Sequence, residues 1–537
     1  MRHRNLCQAI MVVTGIVAAS LAATAALAQS GSSADKRTLR VVPHADLSGL
    51  DPTVSSATIT AGHSYMVYDT LYALDANMAP QPQMVESLSI SPDKLTYRFT
   101  LRDGLTFHDG ASVTADDCIA SIKRWAVNDG TGQLMAKALK EYRIIDQKTF
   151  EIALNEPFGL MLQALAKPTA NLLPIMPKRL AESDPAKPVD DPTGSGPFVF
   201  VKAEWVPGTK IVYKKFEKYV PRTEPPSAFA GGKVAKVDRV EWHIVRDPFT
   251  ALNGVRSGEF DFWEQPPLDV AINAKSIKGL VVNKVNPLGD HGVFIINHLQ
   301  PPFDKPQARQ ALLRMIKQTD YLKAIATDPE YYLPCKSFLA CNTPYQTDAG
   351  SEVLGADDTA TIKALFKEAG WDNSKPIVVL QPTDRPAYNA DALIIADAMR
   401  KHGVNVRLLA MDWAAVRARR NNMTDPLANG WNLFATDVSA LLASNPATNL
   451  FINAACDKAW IGWPCDEKIE ALRAAFVKAP DDVARKKIAD DLNRRAYEYG
   501  VYVPLGQYSI PVIHRDTLQG VLSVPNAYVY WNIEKRS

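Results

Sequence analysis

Past residue 28 this chain has no apolar run long enough to span a bilayer. That excludes a membrane helix anywhere in its main body. It also has almost no excess charge: 60 Lys and Arg stand against 58 Asp and Glu. Two of the basic residues, Arg2 and Arg4, precede Gln29, so the rest balances at 60 − 2 = 58 against 58. A balanced chain offers no electrostatic case for nucleic acid or an anionic membrane. Catalytic signatures are missing too. There is no GxSxG, no HExxH and no CxxC. The glycines of Gly194-Ser195-Gly196-Pro197 form neither GxxxxGK[ST] nor GxGxxG, so they carry no phosphate-binding signature.

What is present begins at the N-terminus. Arg2 and Arg4 precede an apolar run from Ala9 to Leu27, and Ala26-Leu27-Ala28 is a small-x-small cleavage pattern. This reads as a secretory signal peptide over 1–28, cut after Ala28, rather than a membrane anchor, because the run is rich in Ala, Ser and Thr. Cys7 precedes the run and is not placed as a lipoprotein cysteine. The remaining 537 − 28 = 509 residues suffice for two or three domains.

Cysteine is scarce, six in all, and its spacing suits an oxidising compartment. Cys335 and Cys341 are six apart, Cys456 and Cys465 nine apart, each pair in loop-like sequence. Disulfides Cys335–Cys341 and Cys456–Cys465 are expected. They would stiffen local loops, with chain-entropy contributions of about 2–3 kcal/mol each. Zinc is the weaker alternative, since thiolate sites pair cysteines two to four residues apart. Cys118 falls on an apolar helical face and reads as a core thiol.

The stretch Leu101–Trp125, LRDGLTFHDGASVTADDCIASIKRW, parses as strand, turns and helix. Tyr97 to Leu101 alternates apolar and polar residues. Asp103-Gly104 and Asp109-Gly110 are turn dipeptides. Thr114 and Asp117 suit a capping box, and Cys118 or Ile119, Ile122 and Trp125 or Ala126 make an apolar stripe. Further on, Leu39–Val42, Lys210–Tyr213, Val237–Val245, Val293–Ile296, Ile377–Leu380 and Val404–Leu409 read as strands. Tyr65–Leu74, Thr359–Ala369, Ala387–Lys401, 466–478 and 482–499 read as helices. A helix after Phe303 is expected to take Asp304 as its N-cap. Helix–strand alternation in the later half predicts an α/β lobe with partly parallel strands.

Leu101–Trp125 resembles a hallmark of the extracytoplasmic solute-binding proteins of ABC importers, family 5, which include dipeptide, oligopeptide and nickel binders. Leu50-Asp51-Pro52 resembles that family's LDP turn, Pro82 to Leu88 its P-x-L-A-E-S segment, Gly194–Phe198 its GTGPY return strand, and Asn297–Ala326 its N…PPF…R-x-A-L block. The resemblance implies an α/β, two-lobed periplasmic binding protein with a hinge. The first lobe would be discontinuous (29–75, 191–290 and 505–537), with an inserted domain over 76–190 and a second lobe over 291–504. Ligand would sit between the lobes.

Peptide binders of the family carry Gly-Trp followed by aspartates three and six residues after the Trp, one of which anchors the peptide ammonium. Here Gly430-Trp431 is kept, the +6 position is Asp437, and the +3 position is Phe434. Asp437 is therefore the candidate ammonium anchor, its plainer alternative being a turn or helix cap. Trp431 and Phe434 are pocket wall or lobe core. Trp413 lies where the family often places a helix start near the cleft, its plainer alternative being a buried packing role. Arg385 follows a strand end and suits a carboxylate, or is an ordinary exposed arginine. His291 and His298 bracket a strand, but their odd spacing gives no metal site on one face.

The expectation is a periplasmic binding component, not an enzyme, without metal or cofactor and monomeric. It would hand a solute, first of all a di- or oligopeptide, to an ABC permease in the inner membrane. An opine, a sugar or another amine-bearing solute is the alternative, and a secreted hydrolase a more distant one.

Overall fold

A computed structural model of the chain describes residues 37–168 and 171–536. The expected signal segment, with Arg2, Arg4, Cys7 and Ala28, lies outside them. No helix among the described residues is long and apolar enough to cross a membrane.

Three sheets organise the chain. The first has seven strands, in the order Leu280–Asn283, Val512–Arg515, Phe262–Trp263, Thr38–Val42, Arg239–His243, Lys210–Lys215 and Phe198–Phe200. Its middle strand, Thr38–Val42, runs parallel to both neighbours. The second has six, in the order Tyr332–Leu333, Val503–Tyr508, Asp290–Ile296, Leu433–Ser439, Ile377–Pro382 and Val406–Met411. The third is a four-stranded antiparallel sheet of Val85–Ile90, Thr96–Leu101, Thr149–Leu154 and Leu139–Ile144.

The third sheet shows how local sequence sets structure. In Thr96–Leu101 the apolar residues Tyr97, Phe99 and Leu101 point inward, and Phe99 stacks on Phe150 with centroids 5.2 Å apart. The turns after it deliver the chain to helix Ala115–Asn128, which opens with a capping box between Thr114 and Asp117. Cys118, Ile119, Ile122 and Trp125 are all buried along that helix. Burial in apolar surroundings pushes the free Cys118 thiol well above its usual range. His108 bonds to the Gly196 carbonyl (3.1 Å), which ties the turn to Gly194–Phe198. A side chain at Gly194 would lie 2.0 Å from the Val67 carbonyl oxygen, so this glycine serves close packing.

Arg124, on the same helix, reaches Asp51 of the LDP turn at 2.7 Å, and both side chains are fully buried. The guanidinium also donates to the carbonyls of Ser183, Asp184 and Lys187. A second buried pair, Lys233 with Asp69 at 2.8 Å, is covered by the Tyr65 and Trp531 rings. In both pairs each charge is met by its opposite, as burial requires.

Three sequence-based expectations are displaced. The helix expected over Tyr65–Leu74 spans Thr58–Val67, because Tyr72–Leu74 is drawn into a ladder with Pro80–Pro82. Asp304 does not cap the helix that follows it. That helix is Pro306–Arg314 with Lys305 at the N-cap, since the residue before Pro306 is held extended and the boundary falls there. Third, Val503–Tyr508 belongs whole to the six-stranded sheet, paired with Asp290–Ile296, so the chain returns to the first sheet between Tyr508 and Val512 rather than at 505.

Two short segments thus link the large sheets, 284–289 and 509–511. Gly289 sits in the first with φ +67°, and a side chain there would lie 2.1 Å from the Tyr508 carbonyl oxygen. Only glycine fits so close an approach at positive φ. Ser509 bonds to the Asn286 carbonyl, binding the two links together. Cys335 is bonded to Cys341, and Cys456 to Cys465, both in loops of the second lobe.

Candidate functional site

Within the six-stranded sheet, Ile377–Pro382 runs parallel to Val406–Met411 and to Leu433–Ser439. The carboxyl ends of all three therefore face one side, the position where open α/β sheets bind ligands. The first strand leads into helix Pro386–Lys401, the second into helix Trp413–Arg419. Asp384 accepts from the Trp413 backbone N–H at 2.7 Å, fastening the two exits together. Asp412 caps the second helix through the Ala415 N–H.

Asp437 lies near the end of the third strand. Its Oδ2 accepts from Tyr388 Oη at 2.7 Å and from Tyr508 Oη. Burial and the Asp437 charge raise the pKa of both phenols, so they remain donors. No basic side chain pairs with Asp437 among the described residues. Its register partner is Gly292, which in turn faces Gly506 on the next strand. A side chain at Gly506 would lie 2.7 Å from Leu322, so that glycine admits Leu322 against the sheet.

Asp290 lies two residues before Gly292 and so on the same face as Asp437. Burial first, and then the Asp437 charge, pushes its pKa well above the carboxylate range. Asp391, on helix Pro386–Lys401, is 2 % exposed, and its Oδ1 has no hydrogen-bond partner. Its pKa rises for the same two reasons in the same order. Three carboxyl groups thus converge, two of them held toward the neutral form.

The cluster lies where the lobes meet. Asp290 directly follows the link 284–289, and Tyr528 of the C-terminal segment has its pKa raised first by burial and then by Glu264. Tyr528 packs on His44 with centroids 5.7 Å apart, and His44 bonds to the buried Glu264. Beyond Asp437 the chain reaches Leu441 and Leu442, which line a cavity of about 220 Å³. Its other walls include Asn77, Pro80 and Lys167 on one side and Tyr345 and Thr448 on the other. The segment after the four-stranded sheet also touches helix Glu467–Lys478: Lys478 pairs with Glu156 at 2.7 Å, and the Gly159 N–H donates to Val477 O.

The expected site residues separate into groups. Asp437 and Trp413 are brought together through Tyr388, whose ring packs on Trp413 at 4.9 Å. Trp431 and Phe434 are fully buried and in contact at 5.0 Å. Phe434, three residues before Asp437, faces the opposite side of the strand. Arg385 stands exposed at the start of helix Pro386–Lys401 and makes no ion pair among the described residues. His291 is buried, while His298 bonds to Val501 O and stacks on Tyr499. No group of three or more metal-ligating side chains occurs among the described residues. Sequence reasoning missed Tyr388, Tyr508, Asp290 and Asp391. Only Tyr388 had a local cue, lying in the first turn of the helix that Arg385 opens.

Two lobes joined by paired links, with a polar cluster at the carboxyl ends of parallel strands between them, define a binding protein of the periplasmic two-lobed class. Residues 79–449 match the model for bacterial extracellular solute-binding proteins, family 5. The chain belongs to this family. A probable peptide ABC transporter periplasmic-binding protein of Sinorhizobium fredii is 37% identical over 527 residues, covering 96% of this chain and 98% of that protein. A glutathione-binding protein of Salmonella typhimurium is 24% identical, with 89% of this chain and 90% of that protein covered. Among solved structures, the ABC transporter substrate-binding protein CtaP of Listeria monocytogenes superposes with a TM-score of 0.76 at 21% identity, over 93% of this chain and 99% of that one. The periplasmic binding protein DppA of Helicobacter pylori, solved with a peptide, gives 0.72 at 20% identity over 93% and 98%.

Proposed function

We propose that this chain captures a short peptide with a free α-ammonium between its lobes and delivers it to an ABC permease. The observation that carries the proposal is the Asp437 carboxylate. It sits at the lobe junction, at the carboxyl ends of parallel strands, and among the described residues its bonds come from phenols alone. A charge in that position lacks the cation that Asp51 and Asp69 possess, and a ligand ammonium supplies it. The peptide relative at 37% identity supports the class of solute.

Trp413 and Tyr388 form the aromatic wall beside the anchor, and Arg385 reaches the solute from the helix start. The exported protein begins at Gln29, acts in the periplasm as a monomer, and performs no catalysis. Lobe closure about 284–289 and 509–511 adds contacts that exist only in the closed form, so solute shifts that population.

The test is a thermal-shift and calorimetric comparison of free-amine and N-acetylated di- and tripeptide libraries. Free-amine peptides are expected to raise Tm, since occupancy stabilises the folded state. N-acetylation or Asp437→Asn should abolish the shift. Equal binding of both libraries would remove Asp437 as the anchor. Binding of sugars or opines with no response to peptides would replace the peptide assignment.

A further inference from the structure

Residues 85–168, the four-stranded sheet with its helices, meet the rest of the chain in two different ways. Toward the seven-stranded sheet the contacts are enclosed. Arg124 meets Asp51 with both side chains fully buried, and the buried Tyr65 Oη donates to the Pro168 carbonyl at 2.7 Å. Toward helices Glu467–Lys478 and Asp482–Tyr499 they centre on one backbone unit. The Gly159 N–H donates to the Val477 carbonyl at 3.0 Å, and the Gly159 carbonyl accepts from Arg485 Nη2. Helix Asp482–Tyr499 leads directly into Val503–Tyr508 of the six-stranded sheet. The contact therefore spans the two lobes without using either covalent link, 284–289 or 509–511.

Gly159 is shaped for this contact alone. A side chain there would lie 2.3 Å from the Ala479 carbonyl oxygen, 2.9 Å from Arg485 Nη2 and 3.1 Å from the Val477 carbonyl oxygen. All three atoms stand on the opposite side. Gly159 is not among the glycines at positive φ, so its own backbone does not call for glycine. What calls for it is the closeness of the facing segment.

The same contact is built to separate. Arg485 is 5 % exposed, yet its Nη1 pairs with Asp482 at 2.7 Å and its Nη2 also reaches the Ala479 carbonyl at 3.3 Å. Both partners belong to its own segment, so losing Gly159 does not strand the charge. The flanking Lys478–Glu156 pair is exposed on both sides, and such a pair contributes little. Beside Gly159 the faces stand apart around a cavity of about 600 Å³, walled by Tyr97, Phe158 and Met161 on one side and Ala479 and Pro480 on the other. A permanent interface is packed like a protein interior, and this one is not.

Building on the two-lobed capture proposed above, we infer that Gly159 and Arg485 form a clasp that holds the lobes closed without solute and sets solute affinity from outside the solute site. A solute that prefers the closed form then meets a protein already partly in it, and its apparent affinity follows that fraction.

The experiment needs no solute. Spin labels at Lys140→Cys and Lys468→Cys, two exposed positions on opposite sides of the contact, report the distance between lobes by pulsed dipolar spectroscopy. The protein is first unfolded, dialysed and refolded to remove bound solute, and the buried Cys118 stays unlabelled. Wild type should show a dominant short distance. Gly159→Ala and Arg485→Gln should each lower the closed-to-open ratio at least about tenfold, the weight of one charge-assisted hydrogen bond. Glu156→Gln should change it less than about fivefold, as expected of an exposed pair. A wild type that is open throughout, or an unchanged distance distribution in Gly159→Ala, overturns the clasp. If Gly159→Ala does not fold, the contact is structural and not a clasp, unless Arg485→Gln folds and opens. The peptide assignment rests on the peptide libraries and the clasp on this distance, so either can fail without the other.

Discussion

Two buried electrostatic regions of this chain are built in opposite ways. Around Arg124 every charge is answered: the guanidinium meets Asp51 and three carbonyls, and both side chains are fully enclosed. Around Asp437, among the described residues, the carboxylate meets only phenols, Asp290 and Asp391 are pushed toward neutrality, and Asp391 Oδ1 has no partner. The first arrangement stabilises a fold. The second spends stability to keep a site vacant for an incoming charge. The contrast separates structural from functional charge more sharply than residue type does, since an aspartate stands in both regions.

Breaking the first region should have the largest effect. Arg124→Met leaves Asp51 buried and unpaired, and should cost about 3–5 kcal/mol in urea unfolding. A loss under about 1 kcal/mol would mean the pair is not the structural anchor described. Next in size, Gly289→Ala forces a side chain against the Tyr508 carbonyl at positive φ. It should lower stability by about 1–3 kcal/mol and change the rate of lobe closure, measured by stopped-flow fluorescence. Asp437→Asn should reverse the balance: unfolding free energy shifts by less than about 1 kcal/mol, while free-amine peptide affinity falls about 30-fold or more.

The smallest effect concerns pH. Asp391 has a folded-state pKa raised above its unfolded value, mainly by burial. The folded chain therefore binds that proton more tightly, and its contribution to stability is complete at low pH and fades as pH rises through the folded pKa. Asp391→Asn should remove that part of the decline, giving a flatter stability profile above the ordinary carboxylate range near 4. An identical profile in the variant would place the buried proton elsewhere.

The fold was largely readable because its cues are local. Thr114 and Asp117 announce a helix start within four residues, and the alternation in Thr96–Leu101 declares a strand. Where a local cue met a distant partner it failed. Tyr72–Leu74 continues a helical pattern, yet its ladder with Pro80–Pro82 overrides that preference. Within the candidate cluster, Asp437 and Trp413 had sequence cues, the first through its spacing from Trp431. Tyr388 and Tyr508 reach Asp437 from 49 and 71 residues away, brought there by sheet register and helix placement.

The most direct measurement is a calorimetric titration of wild type and Asp437→Asn with free-amine and N-acetylated tripeptides, alongside their unfolding curves. An unpaired carboxylate kept for a ligand predicts that only wild type binds, that it binds only free amines, and that both proteins are equally stable when empty. Undiminished binding by Asp437→Asn, or a large loss of its stability without ligand, would contradict it and make Asp437 one more structural charge.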